Sequence, residues 1–165
     1  MVRWMNGLIP ALVAVLLTEV GPRGAVYAAA SGRLRTVFAI AALVAASAVA
    51  GSLIAPRLAP HAETLLIALA LGFSAWAQVV HIVPGTTTRA ALFAFWRGGT
   101  AFLVLALAAR FEAASVGIGA AIALFVAAAF GPSVTALSTP LVRRLCAGLL
   151  LGAGAALAVI GLRLV

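Results

Sequence analysis

The sequence contains very little charge, and it has no lysine and no aspartate. Of its 165 residues only 8% are charged; the eleven basic residues are all arginine, and the three acidic ones are Glu19, Glu63 and Glu112. Soluble domains carry about 25% charged residues, whereas 65% of this chain is hydrophobic and its mean hydropathy is +1.25. A packed core cannot enclose so much apolar surface. The composition therefore excludes an ordinary soluble domain and predicts a chain that is solvated by lipid.

The chain also lacks the residues and motifs of common enzyme sites. Cys146 is its only cysteine, which excludes an internal disulfide and a cysteine zinc site. Metalloprotease, P-loop, kinase and nucleophile-elbow motifs are absent from the sequence. We therefore predict a protein that is not an enzyme and that has no bound cofactor.

The net charge of +8 does not indicate nucleic-acid binding. Most of the arginines stand singly between apolar runs, whereas a nucleic-acid surface needs a basic stripe on a wettable face. Basic residues at the ends of membrane spans anchor to headgroups and set the orientation of the chain. The predicted partner is therefore the lipid bilayer and not a nucleic acid.

Six apolar runs divide the chain, each near the ~20 residues that cross a bilayer core as a helix. They cover approximately residues 7–30, 36–56, 63–83, 90–109, 114–134 and 141–162. The segments between them are short and polar or contain proline, so they leave no room for a soluble domain. We predict a single transmembrane domain over residues 1–165, in a multi-pass protein of a bacterial-type inner membrane.

The two halves of the sequence repeat one another. Glycines and a proline recur 80 residues later, with Gly51, Pro60 and Gly72 matched by Gly131, Pro140 and Gly152. In addition, Arg33 follows Glu19 at the same distance as Arg110 follows Trp96. Each copy holds three spans, an odd number, so the second copy must be inverted. We predict an all-α membrane protein of six transmembrane helices, arranged as two inverted three-helix repeats over about 7–83 and 90–162, a common plan among secondary transporters.

The arginines also predict an orientation. Six spans place five of them on one side, namely Arg33, Arg35, Arg89, Arg143 and Arg144, and four on the other, namely Arg3, Arg57, Arg110 and Arg163. Glu63 and Glu112 share the second side. Because positive residues favour the cytoplasm, we expect both termini to face outward.

Glu19 is the residue that points most directly to function. It lies near the middle of the first predicted span, where a carboxylate is costly and is a functional candidate by default. Gly21 and Pro22 follow it, and a proline breaks the helical hydrogen-bond ladder. We therefore predict a helix broken in mid-membrane, with freed carbonyls beside a carboxylate, which suits hard cations such as Ca²⁺ or Mn²⁺. The alternative is a protonated or paired Glu19 that only packs helices.

Around Glu19 the sequence resembles the small cation:proton exchangers of the transmembrane-protein-165 and Gdt-one type. Members of that family have two three-helix repeats, each beginning with the motif Glu-x-Gly-Asp-(Lys/Arg)-(Thr/Ser). Glu19, Gly21 and Arg23 match the first motif, and Pro22 takes the place of its Asp. The resemblance implies that the two motifs face each other in mid-membrane and that Glu19 takes part in binding Ca²⁺ or Mn²⁺ in exchange for protons.

The second motif is represented by Trp96, Arg97 and Gly98, of which only Gly98 matches. The repeat puts Arg97 near the level of Glu19, and a buried arginine beside a lone glutamate most simply forms an ion pair. We predict that pair; the alternative is an Arg97 that extends to the headgroups. The candidate ion pathway thus comprises Glu19, Gly21, Pro22, Arg23, Trp96, Arg97 and Gly98, with Glu19 as the candidate metal ligand.

These observations favour a small secondary transporter of the divalent cation:proton exchanger type, including a form that no longer carries metal. Two alternatives stay open: a non-transporting membrane subunit that keeps the fold, and an exporter of another small solute. Gln78 and His81, at the end of the third span, either line a pathway or anchor at the interface. Gly148 and Gly152 form a small-xxx-small pattern that serves close helix packing within one chain or in a homodimer.

Overall fold

The structure is a computed structural model, and it describes residues 5–19, 34–80, 93, 96–130 and 139–163. In these ranges the chain forms six principal helices, which are α1 (Met5–Glu19), α2 (Leu34–Ile54), α3 (Pro60–Val79), α4 (Thr100–Arg110), α5 (Ala113–Ala129) and α6 (Pro140–Arg163). A short 3-10 turn, Ala55–Arg57, follows α2. All regular structure in the described ranges is helical, which confirms the prediction of an all-α protein.

Three of the helical segments are long and apolar enough to cross a membrane, namely Phe38–Arg57, Pro60–Val79 and Pro140–Arg163. They agree with the second, third and sixth predicted spans, and they indicate a membrane protein. The described parts of α1, α4 and α5 are shorter, at 15, 11 and 17 residues. Much of the sequence that was predicted to complete those three spans lies outside the described residues.

Prolines and a threonine determine where two of the long helices begin. Pro60 and Pro140 each occupy the first helical position, where proline loses no intrahelical hydrogen bond because that N–H has no partner in any case. At α6 the Thr139 hydroxyl oxygen accepts a hydrogen bond from the Val142 N–H at 3.3 Å, which satisfies one of the exposed donors at the helix start.

The helices pack mainly in three pairs: α3 with α6, α1 with α5, and α2 with α4. Small residues allow two of these pairs to approach closely. Gly51 of α2 lies directly against the backbone carbonyl of Leu105 in α4, and Gly119 of α5 lies against that of Leu8 in α1. A side chain at either glycine would collide with the neighbouring backbone, so both positions require the smallest residue.

Gly148 and Gly152 do not serve packing within the described part of the chain. A Cβ atom added at either one would have no neighbour within 4 Å. Gly154 takes that role instead, because a Cβ there would lie 3.0 Å from the Ala68 carbonyl oxygen of α3. Use of the Gly148–Gly152 pattern in a homodimer stays a prediction.

One end of the helix bundle gathers charged residues. Nη1 of Arg110 lies 3.3 Å from the Glu63 carboxylate and 3.3 Å from the Pro60 carbonyl oxygen. Gly161, in the last turn of α6, packs against Leu65 and lies near the His61 carbonyl. Arg110 and Glu63 therefore share one side, as predicted. Measured along α4 at ~1.5 Å per residue, Thr100 lies about 15 Å from this charged end, roughly half of a hydrocarbon core about 30 Å thick.

Candidate functional site

A cluster of polar side chains lies between the last described turn of α1 and the first turn of α4, with α3 beside both. We call it the polar cluster, and it consists of Thr18, Glu19, Ser74, Gln78 and Thr100. All five are buried, and Glu19 is only 2% exposed. Buried polar groups are costly unless they form hydrogen bonds. In helices that are otherwise apolar, such a concentration marks the strongest functional candidate.

The end of α1 forms one wall of the polar cluster. α1 is helical as far as Glu19, the last residue of its described part, so the break at Gly21 and Pro22 stays a prediction. Gly21, Pro22 and Arg23 themselves lie outside the described residues. Glu19 is thus presented on the last described turn of α1, in the interior of the bundle.

Gln78 of α3 binds the end of α1 from the side. Its Nε2 donates hydrogen bonds to the backbone carbonyls of Leu17 at 3.0 Å and Thr18 at 2.8 Å. The two bonds join the buried Gln78 amide of α3 to the backbone of α1 directly beside Glu19. Gln78 is therefore a buried site residue and not an interfacial anchor; His81, named with it, lies outside the described residues.

A tight turn at Gly98 and Gly99 forms the opposite wall. The fourth apolar run, predicted as one span, is interrupted here: Trp96 and Arg97 are helical, and α4 starts again at Thr100. Gly99 has a φ of +83°, and a Cβ there would lie 2.7 Å from the Ser74 hydroxyl oxygen. Only glycine adopts this backbone conformation without strain. The turn lets Thr100 enter the polar cluster on the first turn of α4.

Thr100 connects the two walls. Its hydroxyl lies 3.4 Å from Oε1 of Glu19 and 3.2 Å from the hydroxyl oxygen of Thr18. The Thr18 hydroxyl donates its own proton to the Val15 carbonyl at 2.8 Å, so it can only accept from Thr100. Because Thr100 has a single hydroxyl proton, it donates either to Glu19 or to Thr18, but not fully to both.

The predicted ion pair between Glu19 and Arg97 is wrong. Both residues are described, and no salt bridge joins them; the Arg97 guanidinium is exposed and lies 5.6 Å from the centre of the Phe93 ring. Trp96 is also directed outward and is 62% exposed. The turn at Gly98 and Gly99 interrupts the helix between this outward-facing pair and the buried Thr100, so the two segments do not continue one helical face.

Among the described residues, the side chains around Glu19 offer mainly neutral oxygen atoms. Within the described ranges, no group of three or more histidine, cysteine, aspartate or glutamate side chains is placed to hold a metal ion. Two buried atoms of the polar cluster, Ser74 Oγ and Gln78 Oε1, have no hydrogen-bond partner among the described residues. One carboxylate, three hydroxyls and an amide oxygen therefore form the set that a small ion or a proton would encounter.

The sequence-based prediction missed Thr18, Ser74 and Thr100. A signal for two of them exists: Thr18 directly precedes Glu19, and Thr100 occupies the basic position of the second motif. Ser74 carries no such signal, since a single serine in an apolar span usually bonds to its own helix.

Comparison with known proteins does not assign the chain to a family. The sequence matches no protein-family model, and searches of curated proteins and of solved structures find no similar protein. The functional conclusion therefore rests on the residues of the polar cluster and on the sequence motif.

Proposed function

We propose that the chain is a six-span secondary transporter, built from two inverted three-helix repeats, that exchanges a cation for protons at Glu19. The observation that carries this proposal is the buried Glu19 carboxylate beside the Thr100 hydroxyl, between the end of α1 and the glycine turn before α4. Discontinuous helices that meet in mid-membrane are the usual setting of ion sites in such transporters.

The pairing of the helices supports the repeat. If α1, α2 and α3 correspond to α4, α5 and α6, a two-fold axis must convert the α1–α5 pair into α4–α2 and leave the α3–α6 pair unchanged. These are the three main pairs of the bundle. The same correspondence relates the break predicted at Gly21 and Pro22 to the turn at Gly98 and Gly99.

The hydrogen bonds around Thr100 support a proton-binding role for Glu19. When the carboxylate is ionised, the Thr100 hydroxyl donates to it, since bonds to a charged acceptor are the stronger ones. When Glu19 is protonated, its own hydroxyl can donate to Thr100, which then donates to Thr18. The polar cluster therefore accommodates both protonation states by rotating hydroxyl groups, without a change in packing.

The charge of the donor set bears on the exchanged cation. Affinity for Ca²⁺ depends on the number of charged ligands as well as on oxygen count, and the described part of the polar cluster offers one negative charge. One carboxylate balances one proton or one monovalent cation. We therefore propose that Glu19 binds the proton, and the exchanged cation is to be identified by experiment. Ca²⁺ and Mn²⁺, which the family resemblance implies, are the first cations to test, with Na⁺ and K⁺ beside them.

The experiment is cation-driven proton movement in proteoliposomes. The purified protein is reconstituted with a pH-sensitive dye inside, and each chloride salt is added outside in turn. We expect the interior of liposomes with the wild-type protein to become more alkaline when a transported cation is added. Protein-free liposomes and liposomes with the Glu19→Gln variant should show no such change. If no cation moves protons, the exchanger proposal is rejected, and the non-transporting subunit or the exporter of another solute takes its place.

A further inference from the structure

A groove on the outside of the bundle lies next to the polar cluster but is separate from it. We call it the outer groove; it has a volume of about 560 Å³, and its main lining residues are Leu69, Phe73, Trp96, Arg97, Phe102 and Leu105. That volume falls within the range of about 300–1,000 Å³ that is typical of ligand sites. The walls are aliphatic and aromatic, and Phe73 and Phe102 pack edge to face with ring centres 6.5 Å apart.

Arg97 is the charged residue of the outer groove. Its guanidinium is exposed, and its contact among the described residues is the face of the Phe93 ring. The acidic side chains Glu63 and Glu112 lie at the charged end of the bundle, where Glu63 already pairs with Arg110. The third glutamate, Glu19, lies in the polar cluster and forms no salt bridge with Arg97, so no acidic side chain of the described residues neutralises Arg97.

The position of Arg97 along the membrane normal makes a neutralising partner from the bilayer accessible. α4 covers about 15 Å from Arg110 to Thr100, roughly half of a hydrocarbon core about 30 Å thick, and Arg97 precedes its start across the turn at Gly98 and Gly99. A long arginine side chain at that position extends towards the opposite headgroups. Trp76 and Trp96, which are 54% and 62% exposed, are residues that favour this interfacial level.

We propose that the outer groove binds one anionic phospholipid, with its phosphate on Arg97 and an acyl chain against Phe73 and Phe102. A guanidinium forms paired hydrogen bonds with phosphate oxygens, and this relieves the cost of an exposed charge near hydrocarbon. The groove opens on the lipid side, since Leu69 and Trp96 on its rim are largely exposed. A ligand with an apolar tail reaches it from the bilayer, whereas a water-soluble anion would have to cross hydrocarbon.

The test is lipid retention measured by native mass spectrometry. The detergent-purified full chain is titrated with phosphatidylglycerol and, separately, with phosphatidylcholine of the same acyl chains. We expect the wild type to retain one phosphatidylglycerol in preference to phosphatidylcholine. In the Arg97→Gln variant the ratio of the two retained lipids should fall about fivefold, which is the effect of one arginine at an anionic surface. Arg163→Gln, which removes an exposed arginine at the charged end, is the matched control and should behave as the wild type.

Two further variants separate the groove from general electrostatics and from the transport site. Leu69→Trp narrows the groove without changing charge, so it should reduce retention of both lipids, while Glu19→Gln should retain phosphatidylglycerol as the wild type does. The proposal is overturned if Arg97→Gln and Arg163→Gln lose the preference equally, or if wild type retains both lipids alike. It is also overturned if the purified protein carries a free fatty acid, or a second copy of the chain, in place of the phospholipid.

Discussion

The Thr100 hydroxyl lies 3.4 Å from Oε1 of Glu19, on a different helix and 81 residues away in the sequence. This contact joins the last described turn of α1 to the start of α4, where the fourth predicted span is interrupted. It requires the left-handed Gly99, because that residue turns the chain so that Thr100 faces inward. The proposed proton site is therefore a product of both halves of the chain.

Replacing Thr100 with valine keeps the shape of the side chain and removes the hydroxyl. Glu19 and Thr18 then lose their shared donor, and we expect proton-coupled transport to fall about tenfold, since a hydrogen bond to a charged group contributes about 1.5–3 kcal/mol. Thr64→Val is the matched control, because Thr64 is equally buried but bonds only to the Pro60 carbonyl of its own helix. Similar transport rates for the two variants would show that the Thr100 hydroxyl is not used.

Replacing Gln78 with leucine removes the side-chain hydrogen bonds to the Leu17 and Thr18 carbonyls of α1. The Leu17 and Thr18 carbonyls would then be buried without the Gln78 bonds, so the free energy of unfolding should fall by about 1–2 kcal/mol. The measurement is thermal unfolding in detergent, followed by tryptophan fluorescence. Ser52→Ala, which removes an exposed hydroxyl bonded within α2, should leave the midpoint unchanged. An unchanged midpoint for Gln78→Leu would contradict the role assigned to this side chain.

Glycine-to-alanine substitutions should affect stability differently at glycines that contact a neighbouring helix and at glycines that do not. Gly51→Ala places a Cβ against the Leu105 carbonyl and 2.8 Å from the Ala108 Cβ, so overpacking should destabilise the fold by about 1–3 kcal/mol. Gly148→Ala meets open space and should leave stability unchanged or raise it slightly, because alanine favours helix. Unfolding midpoints in detergent provide the comparison; a Gly51→Ala variant as stable as Gly148→Ala would refute the close α2–α4 contact.

The orientation of the chain is a further prediction. The ion pair of Arg110 and Glu63 fixes one end of the bundle, and the smaller number of arginines on that side predicts that it faces away from the cytoplasm, together with both termini. Alkaline phosphatase fused after Val165 should be active, and a fluorescent protein at the same place should be dark. Inactive phosphatase together with a bright fluorescent protein would place the C-terminus in the cytoplasm and contradict this orientation.

The sequence predicts the second, third and sixth spans, which the structure shows as long apolar helices, because they depend on composition and on proline, which act locally. It does not predict which face of each helix is turned inward. The spans are apolar on every side, so no amphipathic pattern separates a lipid-facing from a bundle-facing residue.

Arg97 and Gln78 show the consequence. The repeat predicts Arg97 inside the bundle, level with Glu19, and the sequence leaves Gln78 as either a pathway residue or an interfacial anchor. The glycine turn directs Arg97 outward, while Gln78 finds its partners at the end of a helix 60 residues earlier in the chain. Both outcomes depend on contacts between distant segments, which no local pattern specifies.

The most direct test of the central claim is proton release from the purified protein when a cation binds. The protein is held in weakly buffered detergent solution with a pH indicator, and Ca²⁺, Mn²⁺ or Na⁺ is added to the wild type, to Glu19→Gln and to Glu112→Gln. Glu112 is exposed at the charged end of the bundle, so its variant makes the same chemical change outside the polar cluster. We predict cation-dependent release from the wild type and from Glu112→Gln, and none from Glu19→Gln. Equal release from all three proteins would contradict the assignment of Glu19 as the site where cation and proton exchange.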